Sequence, residues 1–279
     1  MDDSWKFATP STARSANELN VKPRKPFNWA GWLSFVFLLC LWELGTRAAP
    51  RLQLYLPPIS QVLMALGQNV ISGPLAGHLI ITVGRFFEGY LLSAALGVSL
   101  GITLGYFRSF HNLLAMLIEL LRPMPSVAII PVAILMLGIG DSMIVAVTVY
   151  ASVWPILINV IDGVRSIENV LIDTGRTFGL SRRQILWRII LPGASPYIVT
   201  GLRVGLSIAL ILVTTAEMIA GSKGLGFFIL DEERSMNSAV MYGGILFVAA
   251  LGYSLNRLFL LVEAKMMKWR HGMMAREAA

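Results

Sequence analysis

Residues 168–192 read ENVLIDTGRTFGLSRRQILWRIILP, from Glu168 to Pro192. This is the longest polar interruption in the apolar part of the chain. It holds Arg176, Arg182, Arg183 and Arg188, yet it ends in Ile189-Ile190-Leu191-Pro192. Local chemistry predicts two short helices around a glycine, the first running from about Ile167 to Phe178. Gly179 suits a left-handed stop because it has no Cβ to clash there. Ser181 reads as an N-cap, with Gln184 three residues on to complete a capping box. Pro192 lacks an N–H and is expected to end the second helix. In that helix Ile185, Leu186, Ile189 and Ile190 fall on one side, with Arg182 and Arg183 away from it. A basic helical hairpin between two membrane spans is either a lipid-surface element or a docking arm.

Composition puts this hairpin in a membrane protein. The chain has 279 residues, of which 56% are hydrophobic and 14% charged, and its mean hydropathy is +0.68. A soluble domain carries about 25% charged residues. The missing charge and the long apolar runs predict an all-α, multi-pass membrane protein. At about 20 apolar residues per span, the length allows roughly six transmembrane helices with short loops. The net charge of +7 reads as membrane topology, and no nucleic-acid partner is expected. Cys40 stands alone, which excludes an intramolecular disulfide and a cysteine metal cluster. His78, His111 and His271 are too scattered for a metal site. No GxxxxGK[ST] sequence occurs, so any ATP that drives this protein binds another chain. With no nucleophile elbow or paired carboxylates, neither an enzyme nor a cofactor is expected.

Along the chain, residues 1–27 are polar, with Pro10, Pro23 and Pro26 and the basic Lys6, Arg14, Lys22, Arg24 and Lys25. They read as a flexible cytoplasmic tail. Residues 28–76 hold a first span, about Trp29 to Thr46, and a periplasmic segment in which Ser60 is expected to cap a helix over Gln61–Asn69. A core follows over residues 77–263. Its first helix, about His78 to Phe107, carries Gly89, Ser93, Gly97, Gly101 and Gly105 at every fourth residue, a ladder that lets another backbone approach closely. Arg85 and Glu88, one turn apart, are expected to pair. The third span, about Leu113 to Leu137, contains Glu119, Arg122, Pro123, Pro125 and Pro131. At membrane depth such a broken ladder is tolerated only against protein or a wet cavity.

The fourth span, about Ser142 to Ile161, is expected to kink at Trp154-Pro155. The hairpin occupies a loop over 163–194. The fifth span, about Tyr197 to Ala220, repeats small residues at Gly201, Gly205 and Ala209 before Thr214, Thr215 and Glu217. An outer loop from Gly221 turns acidic at Asp231, Glu232 and Glu233. After a last span, about Val240 to Val262, residues 264–279 form a tail with Lys265, Lys268, Arg270 and Arg276. Lys and Arg concentrate on one side, the positive-inside bias, which predicts both termini in the cytoplasm.

These residues carry a family resemblance. Asp173-Thr174-Gly175, three residues, Gly179, nine residues, Ile189, one residue and Leu191-Pro192 resembles the EAA loop of ABC importer permeases. That pattern is Glu-Ala-Ala, three residues, Gly, nine residues, Ile-x-Leu-Pro. Asp173 stands for the Glu, and Thr174 and Gly175 for the alanines. A glycine inside a helix costs about 1 kcal/mol relative to alanine, so the arm is expected to be looser at Gly175. Leu121-Arg122-Pro123-Met124-Pro125-Ser126 is similar to the Arg-Pro-x-Pro stretch of nitrate, sulfonate and taurine importer permeases. Gly138-Ile139-Gly140-Asp141 and Gly221-Ser222-Lys223-Gly224-Leu225-Gly226 resemble outer turns of the same group. The resemblance runs from Leu56 to Lys268.

The resemblance implies a type I ABC importer permease fold in a bacterial inner membrane, with a transmembrane type-1 core over 77–263. It implies a second permease subunit in a homodimer, a cytoplasmic ABC ATPase dimer and a periplasmic solute-binding protein. The ATPase-coupling residues would be Asp173, Gly175, Gly179, Ser181, Ile189, Leu191 and Pro192. Pathway and gating candidates are Arg122, Pro123, Pro125, Ser126, Arg203, Thr214, Thr215 and Glu217, since ionisable residues within spans are functional by default. Cations such as Arg122 and Arg203 suit a small anion, and the family group handles sulfonates and nitrate. Equally, these arginines bind internal carboxylates or snorkel to lipid headgroups. The other class to weigh is a secondary transporter working through intramembrane carboxylates, which usually shows internal repeats; no repeat is visible here.

Overall fold

The computed structural model describes residues 29–71 and 73–266, and among these it is helical, with no strand. The expected terminal tails, with Lys6 to Lys25 and Lys268, Arg270 and Arg276, lie outside the described residues. Helix α1 (Trp29–Ala48) leads through a short turn to α2 (Ile59–Ile71) and then to the long α3 (Leu75–Tyr106). Next come α4 (Arg108–Leu121), α5 (Ile130–Leu137) and α6 (Asp141–Arg165). The polar stretch forms α7 (Asn169–Thr177) and α8 (Arg182–Ile185) before α9 (Leu191–Ala220). Finally α10 (Leu225–Arg234) precedes α11 (Ser238–Met266).

Helix α6 is the axis of the fold, packed along its length between α3 and α9. The small-residue ladder of α3 makes this approach possible. A β-carbon on Gly97 would lie 2.8 Å from Ile156 Cγ2, one on Gly101 2.6 Å from Val160 Cβ, and one on Gly105 2.6 Å from Val164 Cβ. The ladder and its partners both advance four residues at a time, so ridges of one helix seat in grooves of the other. From the opposite side a β-carbon on Gly205 would lie 2.7 Å from Ile156 Cγ1. Ile156 is therefore clasped by glycines of two helices, and it is fully buried. Such close backbone approach holds helices together where lipid offers no hydrophobic drive.

Among the described residues four helices are long and apolar enough to cross a membrane: Leu75–Tyr106, Asp141–Arg165, Arg182–Ala220 and Ser238–Lys265. The expected third span is not one helix. Its halves, Arg108–Leu121 and Ser126–Leu137, meet at 90° and would make a fifth span if counted together. Pro123, Pro125 and Pro131 lie at and after that bend, where the helical ladder cannot be maintained. Helix α1 adds 20 residues. Its Leu33, Phe37 and Leu41, with Leu258 and Leu261 of α11, are exposed apolar residues, as helices surrounded by lipid require.

Several local expectations are overturned. Pro192 does not end its helix: the chain runs on helically from Arg182 to Ala220. A π turn over Leu186–Ile190, in which the Leu191 N–H reaches the Leu186 carbonyl, carries the chain into the proline. The wider turn displaces the carbonyl that the proline ring would otherwise strike. Three residues on, the Ser195 hydroxyl donates to the Pro192 carbonyl at 2.8 Å, the acceptor that Pro196, four residues on, leaves without an N–H. Ser60 does not cap α2. It sits inside the first turn, where its N–H and hydroxyl donate to Glu43 Oε2 and Oε1 at 3.1 and 2.8 Å. A carboxylate at a helix N-terminus satisfies orphan N–H groups and suits the dipole. The acidic stretch around Asp231 is no loop but part of α10, which buries Leu225, Phe228 and Ile229. Arg85 does not pair with Glu88, which is exposed; its partners are on other helices.

Candidate functional site

The coupling-loop candidates form a folded corner. Helix α7 ends in a Schellman motif: the Gly179 N–H reaches the Arg176 carbonyl at 2.9 Å and the Leu180 N–H the Gly175 carbonyl at 3.0 Å. This closure needs a left-handed residue, and Gly179 has φ +73°. The chain then enters α8 through the Ser181 capping box. The Ser181 N–H donates to Gln184 Oε1 at 2.8 Å, and the Gln184 N–H to Ser181 Oγ at 3.4 Å.

The corner is tied to the membrane core by its apolar side. Ile185 and Ile190 are buried in one cluster with Ile156, Val160, Val164 and Ala194, and Ile172, Leu180 and Ile189 pack against it. Gly175 is buried within this contact, where a β-carbon would lie 2.7 Å from Ile189 Cδ1. The glycine thus brings α7 close to the π turn, a packing reason that helix propensity does not see. Leu191 and Pro192 are partly buried at the start of α9. Asp173 lies on the outer face in a 2.9 Å pair with Arg176, a surface contact of small worth. Phe178 and Trp187 are exposed beside Arg176, Arg182, Arg183 and Arg188.

A second group of candidates gathers at the bend before α5. Arg122 caps α4, and Pro123 and Pro125 are exposed in the turn that follows. The Leu121 carbonyl at the bend accepts from the Tyr150 hydroxyl at 2.8 Å. Arg122 and Ser126 line a cavity of about 360 Å³ together with Trp154 and Asn159 of α6 and Ile208 of α9. Pro155, inside α6, lies in the cavity wall. Asn159 Nδ2 donates to the Pro155 carbonyl at 2.8 Å. The indole nitrogen of Trp154 is buried without a hydrogen-bond partner.

The remaining candidates are not in this cavity. Thr214 and Thr215 donate back to the Leu210 and Ile211 carbonyls of their own helix at 2.7–3.0 Å. Arg203 pairs with Glu263 of α11. Glu217 is fully buried and accepts from three groups. Thr82 Oγ1 reaches its Oε2 at 2.8 Å, Arg85 Nη1 its Oε1 at 2.8 Å, and the Gly226 N–H its Oε2 at 3.0 Å; Thr82 also approaches Oε1 at 3.1 Å. Arg85 in turn donates to the Lys223 carbonyl at 2.8 Å and pairs with Asp141. His78 Nδ1 accepts from the Gly224 N–H at 3.0 Å, and Thr82 Oγ1 from the Leu225 N–H at 2.7 Å. One end of α3 thereby holds the turn between α9 and α10 and the start of α6.

Thr82 and Asn159 were not among the residues singled out from sequence, and Asp141 and Trp154 were read only as part of an outer turn and an expected kink. Asn159 alone had a local signal, as an amide within an apolar run. Among the described residues no group of His, Cys, Asp and Glu comes together as a metal site.

Residues 93–268 match the family described as the binding-protein-dependent transport system inner membrane component. The chain is 32% identical over 242 residues to the taurine transport system permease protein TauC of Escherichia coli, covering 85% of this chain and 87% of that protein. It is 30% identical over 228 residues to the bicarbonate transport system permease protein CmpB of Synechocystis sp., covering 78% and 81%. Among solved structures, the MetNI methionine ABC transporter in an inward-facing conformation matches with a TM-score of 0.60 at 18% identity, covering 71% of this chain and 96% of that one. That likeness is one of fold.

Proposed function

We propose, from the premise that this chain belongs to the family of binding-protein-dependent transport system inner membrane components, that it is half of the pathway of an ATP-driven importer for a small anionic solute. As a member it is a multi-pass inner-membrane permease component with the type I ABC importer fold. Permease components of this kind work with an ATPase and a binding protein. The finer assignments are ours: two copies pair, α1 completes six spans, and both termini face the ATPase. The arm over 163–194 docks that ATPase through Asp173, Gly175, Gly179, Ser181, Ile189, Leu191 and Pro192.

The observation that carries this reading is the closed corner at Gly179. A helix lying on lipid turns its apolar stripe outward to the acyl boundary. Here the stripe of Ile172, Leu180, Ile185 and Ile189 turns inward onto the core, and the outer face mixes Phe178 and Trp187 with four arginines and Asp173. A rigid, mixed surface anchored to α6 and α9 suits a protein groove. Taurine and bicarbonate, in the names of two relatives, both carry an oxyanion group and support a solute of that kind.

The test is reconstitution in proteoliposomes with and without a partner ABC ATPase and binding protein, following uptake of taurine, bicarbonate, nitrate and methanesulfonate. Uptake of at least one anion that needs ATP and the ATPase is the expected outcome. Uptake by this chain alone, driven by an ion gradient, overturns the proposal in favour of a secondary transporter.

A further inference from the structure

We propose that the cavity between the broken span and the Pro155 region of α6 is an oxyanion station on the import pathway; the inference rests on the reading of the solute as a small anion. The surroundings of the arginines singled out above differ. Arg85 is met by Glu217 and Asp141, and Arg203 by Glu263. Arg122 has no carboxylate partner among the described residues; it is exposed and lines the cavity.

The other lining groups fit the same chemistry. Trp154 brings an indole N–H, which can only donate and which lacks an acceptor. Ser126 brings a hydroxyl. No lining residue is acidic and one is an arginine, so the site favours an anionic group over a free cation. A guanidinium fork matches two oxygens of a sulfonate, nitrate or bicarbonate at once. Two acceptors complete the cavity. One is the Asn159 side-chain carbonyl, oriented by the bond of its amide to the Pro155 carbonyl. The other is the Ala151 carbonyl, which loses its usual helical donor because Pro155 has no N–H. They suit the ammonium of an aminosulfonate or the hydroxyl of bicarbonate. Ile158 and Ile208 form the apolar wall, against which a short carbon chain can lie. The volume of about 360 Å³ is at the small end for ligand sites. Residues 151–159 occupy the middle of α6, so the station lies at the depth where a solute is farthest from both aqueous faces.

The experiment uses the complete reconstituted transporter and the same four oxyanion-bearing solutes. Arg122→Gln is expected to raise the KM for the transported anion, or lower its uptake, by about tenfold or more, since hydrogen bonds to charged groups are the strong ones. Arg122→Lys should recover part of this, because it restores the charge but not the fork. Trp154→Phe, which removes the indole N–H and keeps an aromatic ring, should cost several-fold. Co-purification of the ATPase and a single elution peak are the folding controls, and Ser126→Ala provides a second, milder variant. Uptake by Arg122→Gln and Trp154→Phe within twofold of the parent protein overturns the station while leaving the importer reading intact. If the parent takes up none of the four solutes, both readings fail together. A lipid headgroup is the other source of an oxyanion. If the Arg122→Gln defect appears in vesicles containing phosphatidylglycerol and vanishes in pure phosphatidylcholine, the cavity holds lipid and the proposal is overturned.

Discussion

Gly224 stands against the carboxylate of Glu217. A β-carbon on Gly224 would lie 2.5 Å from Glu217 Oε2 and closer still to Cδ and Oε1. The turn after α9 can therefore close over its own buried carboxylate only with a glycine at this point. Gly224 also has φ +108°, a conformation L-residues rarely adopt.

Gly224→Ala should lower the thermal midpoint of the detergent-solubilised protein. Backbone strain alone is worth about 1–3 kcal/mol, and the displaced carboxylate would weaken its bond from the Gly226 N–H. Glu217→Ala should cost about 3–5 kcal/mol, the typical cost of leaving a buried partner unpaired. Glu217→Gln should fall between it and the parent, since the amide keeps an acceptor for Gly226 and Asp141 still meets Arg85. Thermal unfolding in one detergent checks the order. Equal midpoints for all three proteins would show that the network does not hold this end together.

At Gly179 the obstacle to substitution is conformation and not space, because nothing lies within 4 Å of a β-carbon there. A non-glycine residue in the left-handed region costs about 1–2 kcal/mol, and asparagine pays least of it. Gly179→Asn should keep ATPase co-purification and uptake close to the parent values. Gly179→Val should insert in the membrane yet lose both, because the angle between α7 and α8 sets the docking register. Reversing Arg182 and Arg183 to Glu is the control: a lipid-surface arm would be damaged more by these reversals than by Gly179→Val.

The small-residue ladder predicts a contrast within one helix. Gly101→Ala places a β-carbon 2.6 Å from Val160 Cβ and 3.1 Å from the Leu157 carbonyl, an overpacking expected to cost about 1–3 kcal/mol. Gly84→Ala meets nothing within 4 Å and should be neutral or stabilising by up to about 1 kcal/mol through helix propensity. Thermal midpoints of the two variants should move in opposite directions or differ by several degrees.

Thiol labelling separates wet from packed positions around the bend. Cys40 is exposed and is first replaced by alanine. A cysteine at Ser126, in the cavity wall, should react with a water-soluble maleimide. Cysteines at Ile130 and Ala133, both buried, should not. Equal reactivity at all three positions would contradict the packing of α5 described above.

Features closed within a few residues were legible in the sequence. The Gly179 stop, the Ser181 box and the broken third span depend on residues no more than five apart, and the structure contains all three. The ladder of Gly89 to Gly105 marked a contact face for the same reason, since a helix places every fourth residue on one side. Pro192 shows the limit of a local rule: read alone it ends a helix, but one π turn carried the chain past it.

What the sequence by itself determined was the class of protein, the arm and the face of α3 that packs. What only the tertiary structure decided was which partner each polar group takes. Arg85 has Glu88 one turn away, yet it bonds to Glu217, 132 residues on, because Glu88 is exposed and Glu217 is buried. An exposed pair one turn apart is worth only about 0.2–0.5 kcal/mol, whereas a buried carboxylate left unpaired costs several. The same holds for Arg122, Trp154 and Asn159, which line one cavity only because the bend before α5 faces the middle of α6. Burial sets the strength of these interactions, and burial is a property of the packed helices.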